Sequence, residues 1–237
     1  SLAPARLTNQ NQGIYVYREN RQIHGPDWLG LFAKEPHFTL LRVEFSFDHR
    51  LDEAIVAALN GRVQLAQGML ASACEQLQRS LWAMSGSLPP TWVMLVAAWL
   101  AQAEGARGDA EAAAAGLAKA EEANGPHVAV FEPELALARA WACAAGGQTT
   151  TAREHAVSAA RIARAAQMHT MEIAALHCAI RLGDRSQAAR LGQLTRLAPS
   201  PMTTAVAAHA RGLGDRDGDA LDEASRQFEG SAPSGRR

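Results

Sequence analysis

"LARAWACAAGGQTTTAREHAVSAARIARAA", residues 137–166, is the stretch whose reading decides the fold. Two alanine-rich runs flank the pair Gly146-Gly147, and nothing between them is reactive. A glycine costs about 1 kcal/mol inside a helix but suits the left-handed turn that ends one. The stretch therefore predicts two helices joined at Gly147. The same texture recurs along the chain in "AQGMLASACEQL", "ARGDAEAAAAGL", "RLGDRSQAARLG" and "DRDGDALDEAS". With Gly68, Gly108, Gly147, Gly183 and Gly218 as anchors, the spacings are 40, 39, 36 and 35 residues. A period in this range is the mark of a helical repeat array.

The phase extends beyond the glycine. Five residues on stand Ala73, Ala113, Ala152 and Ala188; nine on, Leu77, Leu117, Ala156 and Gly192; twelve on, Ser80, Ala120, Ala159 and Thr195. These offsets place the three positions on one stripe of a second helix, where small residues admit a close neighbour. Gly218 is out of phase by one, with Ala224 six residues on. First helices are predicted before the anchors at 51–67, 91–106, 133–145, 170–182 and 202–213. Pro89-Pro90, Asn124-Gly125-Pro126 and Pro199-Ser200-Pro201 fall between the units, and Pro133 suits the first turn of its helix.

The first fifty residues are different. "GIYVYRENRQI" alternates apolar and polar residues around a polar "REN", and "FTLLRVEFSF" is a second strand-like run. Trp28, Phe32, Phe38, Phe45 and Phe47 gather here in a chain that is only 5% aromatic. The expected organisation is a cap or remnant of a preceding domain at 1–50, helical repeats at 51–229 and a disordered tail at 230–237. The fold class is all-α, a right-handed solenoid of about five antiparallel hairpins.

Composition narrows the function classes. A formal charge of −1 argues against a general nucleic-acid or anionic-membrane surface. Cys74, Cys143 and Cys178 are odd in number and far apart, which fits a reducing cytoplasm better than a disulfide framework. The start has no signal-peptide pattern, and no uncharged apolar run is long enough to span a bilayer. His169, His177 and Cys178 do not have the paired spacing of a zinc site. Asp215 to Asp219, "DRDGD", lacks the twelfth-position glutamate of a calcium loop. His49 beside Asp48 completes no catalytic triad spacing. No metal, cofactor or catalytic residue is expected. The position six before each anchor is more informative: Arg62, Gln102, Trp141 and His177 form a row of large polar and aromatic residues amid small ones, as a concave ligand groove would.

The offsets resemble a tetratricopeptide hairpin, although the usual tryptophan and tyrosine of its first helix are missing from most units. From Phe131 onward, "FEPELALARAWACAAGGQTTTAREHAVSAARIARAAQMHTMEIAALHCAIRLGDRSQAARLGQL" and "AAHARGLGDRDGDALDEASRQFE" resemble the helical repeat region of large actinobacterial LuxR-type regulators of the MalT-like class. That resemblance, over roughly 51–229, implies a non-enzymatic sensor arm that binds a protein or small-molecule inducer. The nucleotide-hydrolysing and helix-turn-helix domains of such regulators are not carried over, since the chain has no G-x-x-x-x-G-K-[ST] motif and ends in "GSAPSGRR". The rival expectations are a stand-alone adaptor and a small helical enzyme. The sequence leaves the oligomeric state open.

Overall fold

The computed structural model describes residues 13–27, 42–47, 49–84 and 90–231. The chain divides into two compact units, Ser1–Ile55 and Val56–Arg237. The division falls five residues beyond the expected boundary, within a continuous helix.

In the first unit, β1 (Gly13–Arg18) and β2 (Arg21–Asp27) form an antiparallel hairpin. Its turn is Glu19-Asn20, inside the anticipated polar segment, and both residues have positive φ, 50° and 62°. A two-residue turn of that hand matches the twist of the strands it joins. β3 (Arg42–Phe47) lies on the other side of β1 and runs parallel to it, pairing Gly13 with Arg42 through Arg18 with Phe47. The aromatic positions 28, 32 and 38 lie outside the described residues, as do 232–237 of the anticipated tail.

The helices follow in five pairs: α1 (His49–Ala66) with α2 (Leu70–Met84), α3 (Pro90–Arg107) with α4 (Ala110–Glu122), α5 (Glu132–Ala145) with α6 (Thr149–Ala165), α7 (His169–Arg181) with α8 (Ala188–Leu197), and α9 (Pro201–Asp215) with α10 (Gly218–Ser231). Each predicted first helix is present to within two residues at either end. The chain is mostly helical, and no helix among the described residues is long and apolar enough to cross a membrane.

Gly147 shows why the pairs break where they do. It has φ +78°, and the Gln148 N–H reaches back to the Cys143 carbonyl at 2.9 Å. This closes the last turn of α5 with a left-handed residue that glycine takes without steric cost. Gly68, Gly108 and Gly183 repeat the geometry, with φ +76°, +86° and +98°. The fifth anchor needs correction. Gly218 is the first residue of α10, and the left-handed residue is Arg216, φ 58°, whose neighbour Asp217 donates its N–H to the Gly212 carbonyl at 3.0 Å. Asp217 Oδ1 then accepts from the Ala220 N–H at 3.1 Å, capping α10. The apparent phase break came from selecting the nearest glycine instead of the residue that turns.

The small-residue stripe is buried as expected in the third pair, where Ala152, Ala156 and Ala159 have no exposure. It shifts by one residue in two places. In α4 the buried residue is Gly116, not Leu117, and a Cβ on Gly116 would stand 3.2 Å from the Ala101 backbone nitrogen. In α8 the fully buried residues are Leu191 and Leu194, in place of Gly192 and Thr195. A 3-10 turn, Arg185–Gln187, precedes α8. Each of its residues advances about 20° more than an α-helical residue, so the same face arrives earlier in the sequence.

Every first helix from α3 to α9 contacts its own partner and the second helix of the preceding pair, and α3, α5, α7 and α9 also contact one another in turn. The core is built largely of alanine, whose burial brings backbones close but yields little transfer energy. Larger payloads, about 1.5–3 kcal/mol each, come from Leu77, Met94, Leu135, Leu191 and Leu194. Gly105 sets the closest approach between first helices: a Cβ there would fall 2.6 Å from the Trp141 carbonyl oxygen.

Candidate ligand-binding face

The positions six before each turn lie on the face that each first helix turns toward the next one. Their side chains gather into three clusters along α1, α3, α5, α7 and α9.

The first centres on Glu134, in the opening turn of α5 and buried. Gln102 donates from Nε2 to Glu134 Oε2 at 2.9 Å and to the Glu134 carbonyl at 3.2 Å. Arg62 Nη2 lies 3.5 Å from Glu134 Oε1, and its guanidinium sits 5.8 Å from the centroid of Trp99. Burying a carboxylate is costly unless it is paired and hydrogen-bonded; here an amide and a cation from two preceding helices meet that requirement. Gln102 is itself only 5% exposed, so its amide fixes Glu134 and does not face solvent.

The second cluster is Trp141 with Arg181. The exposed Arg181 on α7 places its guanidinium carbon 4.7 Å from the centre of the Trp141 ring on α5. Stacking over the indole face is favourable and holds the planar cation in one orientation.

The third is His177 with His209. His177 Nε2 and His209 Nδ1 are 2.9 Å apart, with the rings edge-to-face at 88°. One nitrogen donates and the other accepts, so the contact requires complementary tautomers. Phe228 of α10 stacks on His177 at 6.0 Å and meets His209 edge-on at 6.1 Å. Burial, reinforced by the positive charges of Arg181 and His209, pushes the His177 pKa down to about 3. Burial and Arg181 lower that of His209 as well. Both rings are neutral at neutral pH. His177 is thus a packed, partly buried residue, and the adjacent Cys178 thiol is pushed up to about 12 by burial.

The structure therefore places all four row residues between successive first helices but joins them to different partners. Glu134, Trp99, Arg181 and His209 complete the clusters and were not singled out from sequence. His209 lies seven residues before Arg216, one off the row's spacing of six, so the periodic reading did not reach it. Arg181 stands two before its turn, where the earlier units carry Ala66, Ala106 and Ala145, and Glu134 has no acidic counterpart thirteen before the other turns, so no periodic signal exposed them. Glu172 is a further buried acid, held by the Arg190 guanidinium through bonds of 2.8 and 3.0 Å. That pair ties α7 to α8. Among the described residues no group of three or more His, Cys, Asp or Glu side chains is arranged to hold a metal ion.

Arg62 and Arg181 are each laid over a tryptophan on the same run of first helices; Arg62 is engaged by Glu134, and Arg181 is the exposed one. A stacked guanidinium keeps its N–H edge available for a carboxylate. No family model matches the chain, and no curated protein or solved structure is significantly similar to it.

Proposed function

We propose that this chain is a non-enzymatic binding scaffold, a right-handed tetratricopeptide-like array that takes a carboxylate-bearing protein segment or inducer along its first helices. The observation that carries the reading is the exposed Arg181 stacked on Trp141. An oriented, exposed cation on a helical framework recognises an anionic group, and the indole adds apolar contact. The four glycine-turned pairs and the contacts between successive first helices support the array. The texture of residues 131–229 supports the setting, the sensor region of a LuxR-type regulator.

The test is affinity capture on the immobilised chain, with mass spectrometry of both bound proteins and bound small molecules. The variant Arg181→Ala is run in parallel. The reading expects an acidic ligand that the wild-type chain retains and the variant loses, with the variant's helical circular dichroism unchanged. A ligand held equally by both would remove this face from recognition. Turnover of a captured small molecule would replace the scaffold reading with an enzymatic one.

A further inference from the structure

Thr204, Ala207 and Arg211 stand three and four residues apart, on one stripe of α9. His209 lies two residues from both Ala207 and Arg211, which puts it on the opposite side of the helix, against His177. The stripe faces Ala188, Gly192 and Thr195 of α8 across an open cleft of about 420 Å³. The cleft follows from the rotation of α8. Its 3-10 turn sends Leu191 and Leu194 into the core, so the small residues at 188, 192 and 195 are left half-buried, without the close helix that covers Ala152, Ala156 and Ala159. Gly192 marks the gap. At Gly61, Gly105, Gly116 and Gly212 an added Cβ would stand 3.2 Å or less from another helix, and close packing accounts for each. At Gly192, in the middle of α8, it would meet nothing within 4 Å. Glycine weakens a helix interior, and here no neighbouring helix requires it. Its missing side chain is open space in the cleft floor.

The polar groups of the cleft select its occupant. The Thr195 hydroxyl donates to the Gly192 carbonyl at 2.8 Å, and the Thr204 hydroxyl donates to the Ser200 carbonyl at 3.1 Å. With both protons committed, the two hydroxyl oxygens offer lone pairs only and act as acceptors. Arg211 is exposed at the rim, and among the described residues no carboxylate pairs with it and no acidic side chain lines the cleft. Ala188, Gly192 and Ala207 supply a small apolar floor. The volume lies toward the lower end of the range for small-molecule sites, about 300–1,000 Å³. A fitting molecule has an anionic end for the guanidinium, a short aliphatic body and a hydrogen-bond donor for the threonine oxygens.

We propose that the α8–α9 cleft is a binding site, separate from the row of first helices, for a short aliphatic carboxylate that carries a hydroxyl or ammonium donor: a small hydroxy acid or amino acid. Arg211 takes the carboxylate, Thr195 and Thr204 accept from the donor, and the carbon body covers Gly192. A molecule held there bridges the fourth and fifth helix pairs, since α8 belongs to one and α9 to the other.

Isothermal titration calorimetry on the full chain tests this, with lactate, alanine, 3-hydroxybutyrate and 3-aminobutyrate as probes and propionate and butyrate as analogues without the donor. The expected result is saturable binding of at least one probe, millimolar or tighter, with its analogue weaker by tenfold or more. Gly192→Leu fills the cleft where packing leaves room, so it should keep the wild-type circular dichroism and weaken binding by tenfold or more. Arg211→Ala should weaken it to a similar extent, whereas removing an exposed arginine elsewhere, Arg164→Ala, should leave it unaltered. The proposal is overturned if no probe binds saturably, or if propionate and butyrate bind as well as the probes. Binding that Arg211→Ala does not weaken, or that Arg164→Ala weakens equally, also overturns it, and so does a folded Gly192→Leu that binds like the wild type.

Discussion

At Gly105 the absence of one carbon decides how closely two helices pack. A methyl group there would meet the backbone carbonyl of Trp141, which has no flexible side chain to swing aside. Gly105→Ala should therefore destabilise the chain by about 1–3 kcal/mol through overpacking, despite alanine's better helix propensity. A urea melt checks this, and an unchanged or raised midpoint would show that α5 can retreat. Ala159, with no exposure, belongs to the same class, and Ala159→Leu should carry a similar penalty of ~1–3 kcal/mol. His177 gives a different signature. Its folded pKa, about 3, lies below the ordinary 6.5, so the folded state binds fewer protons than the unfolded chain. The contribution is fully present above pH 6.5 and is lost as pH falls from there through the folded value. Wild-type urea midpoints should thus decline between pH 7 and pH 5 more steeply than those of His177→Phe, which keeps a ring against Phe228. Parallel slopes would mean that the imidazole is not the group being titrated.

At the scale of the element, the ends of the helices matter most. Four pairs turn through a glycine with positive φ, whereas α9 ends on Arg216 in the same left-handed conformation. A residue with a Cβ pays about 1 kcal/mol or more for that geometry. Arg216→Gly should raise stability by about 0.5–1 kcal/mol, read as a higher thermal midpoint. A lowered midpoint would indicate that the arginine side chain holds the turn by contacts worth more than the strain. The 3-10 turn before α8 acts at this scale too: it rotates the helix so that Leu191 and Leu194, not Gly192 and Thr195, enter the core.

For the whole molecule, helix pairs that contact mainly their neighbours make stability a near-sum of local terms. Far-ultraviolet circular dichroism should be dominated by helix, and a strand-dominated spectrum would contradict the fold. A formal charge of −1 gives the chain little of the counterion-release energy on which duplex binding depends. Mobility-shift titration at physiological salt should accordingly show no sub-micromolar, sequence-specific DNA complex.

The number of helix pairs, the bounds of the first helices and four of the five turns were written in the sequence; the fifth turn, at Arg216, was not. Each follows from local physics: a glycine that takes positive φ at Gly147, a proline that starts a helix at Pro133, and small residues at i, i+4 and i+7 across Ala152, Ala156 and Ala159. What the row residues do was decided only in three dimensions. Gln102 and Glu134 are 32 residues apart, as are His177 and His209. Nothing local to either member specifies its partner, because the contact exists only once one first helix is laid against the next. The difference between a solvated histidine and a packed, neutral one is likewise a matter of burial. The exposure of Val56, Leu59 and Val63 belongs with these. Their spacing puts them on one helix side, and their exposure is read only from the structure.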